Sequence, residues 1–125
     1  MSRLTEYSGT ITTTGGAAVA TGSSTITVSK FGHLEYVYLN FHADAPATTD
    51  TTVAYSGTPP GGNILVKSNS ATDALFWPRA KAVDNAAAAI TDSHTRFPVQ
   101  GVIDISLAQC DALTGACVVT LGVAH

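Results

Sequence analysis

Short runs in which apolar and polar side chains alternate recur along this chain, each cut off within a few residues by Gly, Pro, Asp or Thr-rich segments. A period of two puts alternate side chains on opposite faces of an extended backbone, so each run reads as a half-buried β-strand. In Ser24 to Ser29, Ile26 and Val28 oppose Thr25, Thr27 and Ser29. Leu34 to Phe41 carries large residues on both faces, with Val37, Leu39 and Phe41 opposite Leu34, Tyr36 and Tyr38, the pattern of a central strand covered on both sides. Thr51 to Tyr55 and Ile64 to Lys67 flank a Pro- and Gly-rich turn from Ser56 to Gly62 and are expected to be neighbours. Ala74 to Trp77 forms another run, stopped by Pro78. Ile103, Ile105 and Leu107 alternate with polar or small residues, as do Cys117, Val119, Leu121 and Val123, and the link Asp111 to Ala116 between the two runs predicts a hairpin.

The one helical competitor is Arg79 to Ile90, through its alanines at 86–89. Asp84-Asn85 interrupts it and no i, i+4 apolar stripe supports it, so it is expected to be a loop with at most one helical turn. At 125 residues the chain matches one domain with one core. The predicted fold is therefore all-β: a single β-sandwich over residues 1–125, jelly-roll-like, with eight or nine strands. Met1 to Tyr7 is expected to stand outside it as an N-terminal arm.

The surface is expected to be unusual. Only 12% of the residues are charged, where a soluble domain has about 25%. Thr, Ser and Ala stand in their place, as on a protein much of whose surface is covered by partner subunits. A net charge of −3 with no cluster of Lys or Arg argues against nucleic acid. No run reaches the roughly 18 apolar residues of a membrane span, and the start lacks an apolar signal core, which leads to the expectation of synthesis in a cytoplasm and no membrane partner.

Residues that could carry chemistry are few. Asp92-Ser93-His94 holds the residue types of a hydrolase triad, but neighbours in sequence cannot adopt triad geometry, and no Gly-x-Ser-x-Gly elbow is present. Asp44, Asp50, Asp73, Asp92 and Asp111 fall in turn-like contexts and are expected to cap their own backbone. His42-Ala43-Asp44 is a weak metal pair with no third ligand segment, and no phosphate-binding glycine loop occurs. No enzyme, metal or cofactor is expected. Cys110 and Cys117 bracket the predicted hairpin link, which would bring their Cα atoms to about 4.5–5.5 Å and makes them a candidate disulfide, against the reducing compartment. Leu75-Phe76-Trp77-Pro78-Arg79 gathers the only Trp beside Phe and Arg, residue types of interface anchors; the first expectation is that Trp77 is core and Arg79 a surface cap, with an interface as the alternative.

Taken in order, the Thr/Gly-rich opening, the aromatic strand, the Pro-Pro-Gly-Gly turn before Ile64-Leu65-Val66, Phe76-Trp77-Pro78-Arg79, the Phe97-Pro98-Val99-Gln100-Gly101 step and the closing hairpin resemble the small β-sandwich head decoration, or cement, proteins of tailed bacteriophages. The likeness spans most of residues 7–123. It implies a protein on the capsid exterior of the virion that stabilises the shell, with the major capsid protein and copies of itself as partners, a trimer being favoured. Under it, Arg3, Leu4 and Tyr7 of the arm and Phe76, Trp77 and Arg79 are the candidate interface. The alternative is a carbohydrate- or receptor-binding β-sandwich, such as a tail-fibre or lectin-like module, with Tyr36, Tyr38, Tyr55 and Trp77 as an aromatic platform.

Overall fold

The computed structural model describes residues 3–56, 62–83 and 89–125. Among the described residues nine strands run in chain order: β1 (Leu4–Ile11), β2 (Ala20–Phe41), β3 (Asp50–Tyr55), β4 (Asn63–Lys67), β5 (Ala74–Phe76), β6 (Ala80–Val83), β7 (Ala89–Thr95), β8 (Pro98–Cys110) and β9 (Cys117–Ala124). Every pairing is antiparallel. Seven strands form one sheet in the order β1-β9-β2-β8-β3-β4, with β5 also on β2, and β6 pairs with β7.

The 22-residue strand β2 belongs to both layers of the sandwich. Its first part pairs with β8, from Ala20 opposite Cys110 to Val28 opposite Gly101, and its second part pairs with β9, from His33 opposite Ala124 to Phe41 opposite Cys117. One layer is therefore β1-β9-β2-β5 and the other β2-β8-β3-β4, folded over a shared strand. Gly9 on β1 shows the two layers meeting, because a Cβ there would stand 2.9 Å from Ile26 Cγ1 on β2 and 3.0 Å from Ile105 Cδ1 on β8. Between the layers lie Ile11, Ile26, Val28, Leu34, Val37, Leu39, Val53, Ile103, Ile105, Val119, Leu121 and Val123, all buried. Removing this apolar surface from water supplies the main stabilisation of the fold.

Two irregularities in β2 redirect its side chains. Leu34 pairs with Val123 and Tyr36 with Gly122, so Glu35 is one extra residue in the ladder. This bulge reverses the alternation and brings Leu34 onto the buried face with Val37, Leu39 and Phe41, not onto the opposite face that strict alternation predicts. Nor is the second face fully covered, since Tyr38 is exposed. Earlier, Val28 pairs with Gly101 and Gly32 with Val99, so Ser29, Lys30 and Phe31 stand against Gln100 alone. The strand arches outward there as it passes from one layer to the other.

The alternating runs all become strands, and β3 pairs with β4 as expected, across a turn whose residues 57–61 lie outside the described ones. Three expectations are corrected. Leu4 to Tyr7 is no arm: it pairs residue by residue with Ala124 to Leu121, because the exposed edge of β9 satisfies its backbone groups. β8 and β9 are not a hairpin, since β2 lies between them. The link after Cys110 is bonded instead to the β1–β2 connection, where buried Thr13 donates its hydroxyl to Asp111 O at 2.5 Å and accepts the Leu113 amide at 3.0 Å. The loop expected over Arg79 to Ile90 instead holds β6 and the start of β7, which pair with each other, with 84–88 outside the described residues.

Candidate functional site

The six candidate interface residues fall on opposite edges of one layer. Arg3, Leu4 and Tyr7 lie at the β1 edge, and Phe76, Trp77 and Arg79 at the β5 edge.

At the β5 edge, Val37, Tyr38 and Leu39 of β2 face Phe76, Leu75 and Ala74. Alternation turns Phe76 inward, where it packs half-buried against the core, and leaves Leu75 and Trp77 on the outer face. Trp77 is 61% exposed, Leu75 41% and Tyr38 36%. These side chains make an apolar surface at one edge of the sandwich. Asp73 extends the pairing by accepting the Phe41 amide at 2.7 Å, which fixes the start of the three-residue strand.

Arg79 is not free for a partner. Its guanidinium donates to the Glu35 carbonyl at 3.1 Å and to Pro78 O at 2.8 Å, and lies 3.9 Å from the Glu35 carboxylate. Arg96, just after β7, is hydrogen-bonded to the same carboxylate. The bulge that isolates Glu35 thus lets one carboxylate bind two cations, tying the chain on either side of the β6–β7 pair to β2. Sequence spacing carries no signal for this cluster, because its members lie 44 and 61 residues apart.

Across the same layer, Glu6, Gly122 and Tyr36 form one row over β1, β9 and β2. The Tyr36 ring lies over Gly122, where a Cβ would come within 2.2 Å of it, and the phenol donates to Glu6 Oε2 at 2.6 Å. That hydrogen bond, then burial and the nearby negative charge, push the Tyr36 hydroxyl up to about 12. Tyr36 and Tyr38 thus share a layer with Trp77. Tyr55 does not, since it sits on β3, donating to Pro98 O at 2.6 Å with its ring 6.2 Å from that of Phe97. The four aromatics expected to form one platform are therefore not brought together, since Tyr55 lies off the layer of the other three.

At the β1 edge, Leu4 is exposed on the outer face, whereas Arg3 and Tyr7 line a pocket at the end of the sandwich. Cys110 and Cys117 are buried free thiols. With β2 between their strands, the facing geometry that suggested a disulfide is lost: Cys110 pairs with Ala20, and Cys117 with Phe41 and Ile11. Burial pushes the Cys117 thiol up to about 12, with Asp73 and Cys110 adding to the effect and an Asn40 backbone contact opposing it. A thiol held protonated in this way is a poor nucleophile.

Asp50, Asp73 and Asp111 accept backbone amides far from their own turns, which corrects the expectation that they cap their own backbone. Asp111 accepts Ala18 N at 2.8 Å and Asp50 accepts Asn69 N at 2.9 Å. Ala18 and Asn69 have φ of 58° and 53°, so each carboxylate secures a connection that is strained for a residue with a Cβ. His42 Nδ1 accepts the Asp44 amide at 3.0 Å in a local turn. His94 is exposed on β7, and the side chains of Asp92 and Ser93 lie outside the described ones. No family model matches this chain, and no curated protein and no solved structure matches it either.

Proposed function

We propose that the chain is a structural, non-catalytic protein that attaches to the outside of a phage capsid as a decoration protein and stabilises the shell. The observation that carries this reading is the exposed apolar surface of Tyr38, Leu75 and Trp77 on a rigid sheet. A large aromatic beside aliphatic groups is the composition of an interface anchor, and leaving it in water is unfavourable without a partner. The low fraction of charged residues supports further burial against neighbouring subunits, and the net charge of −3 suits a face turned away from DNA. The partners under this reading are the major capsid protein and further copies of the chain, a trimer being favoured.

The experiment is co-sedimentation of purified protein with capsids of the encoding phage that lack it. Saturable binding to a fixed number of sites per shell is expected. Absence of binding, or a gene lying outside any phage genome, overturns the reading. Light scattering at tens of micromolar tests self-association, and a strict monomer removes the trimer.

A second reading, a carbohydrate-binding module, is favoured by the exposed Tyr38 and Trp77 rings lying in one layer with the Glu6 carboxylate. Apolar sugar faces stack on such rings while carboxylates take sugar hydroxyls. A saturable glycan response that quenches Trp77 fluorescence, without capsid binding, would select it.

A further inference from the structure

We infer that the pocket between β1 and the arch of β2 is a binding site for a phosphate or sulfate group. It has a volume of about 470 Å³ and is lined by Arg3, Thr5, Tyr7, Ser29, Lys30 and His125. The inference is independent of the shell-binding reading.

The backbone builds this site from three places. Arg3, Thr5 and Tyr7 are alternate residues at the start of β1, so they share the side turned away from Leu4 and Glu6. Ser29 and Lys30 belong to the segment where two extra residues push β2 out of its ladder with β8. Arches of this kind re-aim side chains that a regular strand would commit to its faces. His125 follows β9 and is held by reciprocal backbone bonds with Arg3, N to O at 2.8 Å and O to N at 3.4 Å. Gly32 lets it approach, since a Cβ there would lie 2.5 Å from Ala124 O and 3.1 Å from His125 Nδ1.

The chemistry of the wall is one-sided. Arg3 and Lys30 are cations that make no ion pair among the described residues, in a chain where Arg79 and Arg96 share Glu35. Thr5, Tyr7 and Ser29 supply hydroxyls, the last two 3.5 Å apart and able to donate to a third atom. None of the lining side chains is a carboxylate. The His125 ring is fixed against the arch: Nδ1 is 3.0 Å from the Phe31 carbonyl, which can only accept, so Nδ1 carries the hydrogen. The other nitrogen, Nε2, is buried and has no hydrogen-bond partner. Buried to this degree, Nε2 does not reach a group seated in the pocket, so Arg3, Lys30 and the hydroxyls are what such a group meets.

Charge selects the class of ligand. Arg3 and Lys30 together balance a dianion, and four tetrahedral oxygens offer acceptors to a guanidinium, an ammonium and several hydroxyls at once. A carboxylate brings one charge and two oxygens, and leaves one cation unbalanced. The group recognised is therefore a phosphate or sulfate, free or as an ester on a larger molecule.

The test is titration of the ¹⁵N-labelled full chain with sodium sulfate, inorganic phosphate or acetate, chloride holding the ionic strength constant. Sulfate and phosphate are expected to shift the amides of residues 3–7, 29–32 and 125 saturably, with acetate at least tenfold weaker. Lys30→Gln and Arg3→Gln should each weaken sulfate binding about tenfold while leaving the remaining spectrum in place. His125→Asn, which can still donate to Phe31 O but lacks Nε2, should weaken it less. Shifts no larger than those of chloride, equal response to acetate, or sulfate shifts undiminished in Lys30→Gln and Arg3→Gln would overturn the inference. Glucose 6-phosphate and glucose 6-sulfate against glucose then distinguish a bound ester from a free ion, by whether the sugar portion strengthens binding over the inorganic anion.

Discussion

The layer β1-β9-β2-β5 ends in two edges that differ in almost every respect. At β1, eight residues pair in register with β9, and the outer face carries Leu4, Glu6, Ser8 and Thr10, only the first of them apolar. At β5, three residues pair with β2, and the outer face carries Leu75 followed by Trp77. The long edge is held by backbone bonds and by the Tyr36–Glu6 hydrogen bond across Gly122. The short edge is held by side chains: Phe76 against the core, the Asp73 cap, and Arg79 on Glu35. A three-residue strand offers little template for another chain to add a strand, so what β5 presents to its surroundings is its side chains. The two edges thus divide the work, with β1 closing the sandwich and β5 presenting a surface.

The largest expected effect comes from breaking the row that secures β1. In Gly122→Ala the new Cβ would stand 2.2–2.6 Å from the Tyr36 ring, so the ring must leave and its bond to Glu6 goes with it. Denaturant unfolding is expected to show a loss of about 2 kcal/mol. If the row is the cause, Gly122→Ala costs much less in a Tyr36→Ala background, a non-additivity that a double-mutant cycle reads directly. Glu35→Ala strikes the other edge. It leaves Arg79 and Arg96 without their carboxylate at a half-exposed site, and about 1 kcal/mol is expected. Protease cleavage within residues 80–95 of this variant, compared with Gly122→Ala, checks that the damage stays on the β5 side.

Both edges show how far the sequence can be read. Ile26/Val28, Ile103/Ile105/Leu107 and Val119/Leu121/Val123 announce their buried faces through alternation, because one sheet face meets the core and the other does not. Alternation says nothing about neighbours, which is why Cys110 and Cys117, close in sequence, are expected on adjacent strands that β2 in fact separates. It also fails at bulges: Glu35 shifts Leu34 to the core face, and a one-residue insertion has no signature in composition. The start of β1 escapes such a reading because Arg3 to Tyr7 has only Leu4 and Tyr7 as apolar residues, and its order comes from an edge of β9 supplied more than a hundred residues later. Of the site, Trp77 is legible only in part: a lone Trp beside a strand-ending Pro reads first as core, and its 61% exposure corrects that reading. Lys30 and His125 are not legible, since the arch that brings the lysine to the pocket is a product of the two layers sharing one strand.

A smaller effect separates the hydrogen bond of the β1 row from its packing. Tyr36→Phe keeps the ring over Gly122 and removes the phenol, for an expected loss of about 1 kcal/mol at pH 7. Because the folded-state phenol titrates at about 12, above the unfolded value of 10.0, the folded protein holds a proton that the unfolded chain releases in between. The stabilisation is complete below pH 10 and is lost as pH rises to 12. Cys117, raised from 9.0 to about 12, loses stability over an overlapping window in both proteins and cancels in the comparison. The difference between wild type and Tyr36→Phe should therefore shrink from pH 10 to pH 12. A constant difference would mean that the ring, not the hydroxyl, secures the edge.

The smallest effect on stability is expected where the effect on attachment is greatest. Trp77 is 61% exposed and Leu4 53%, so Trp77→Ser and Leu4→Ser should each change unfolding free energy by no more than about 0.5 kcal/mol. The two substitutions probe opposite edges of one layer, each removing an exposed apolar side chain. If β5 is the docking edge, Trp77→Ser weakens capsid co-sedimentation about 30-fold, the equivalent of a hot-spot loss of about 2 kcal/mol, and Leu4→Ser leaves it unchanged. The reverse result would move the interface to β1, where eight residues of open backbone could add a strand from a partner. Equal losses would require the partner to span both edges across the polar face between them, and the division of labour between β1 and β5 would fall.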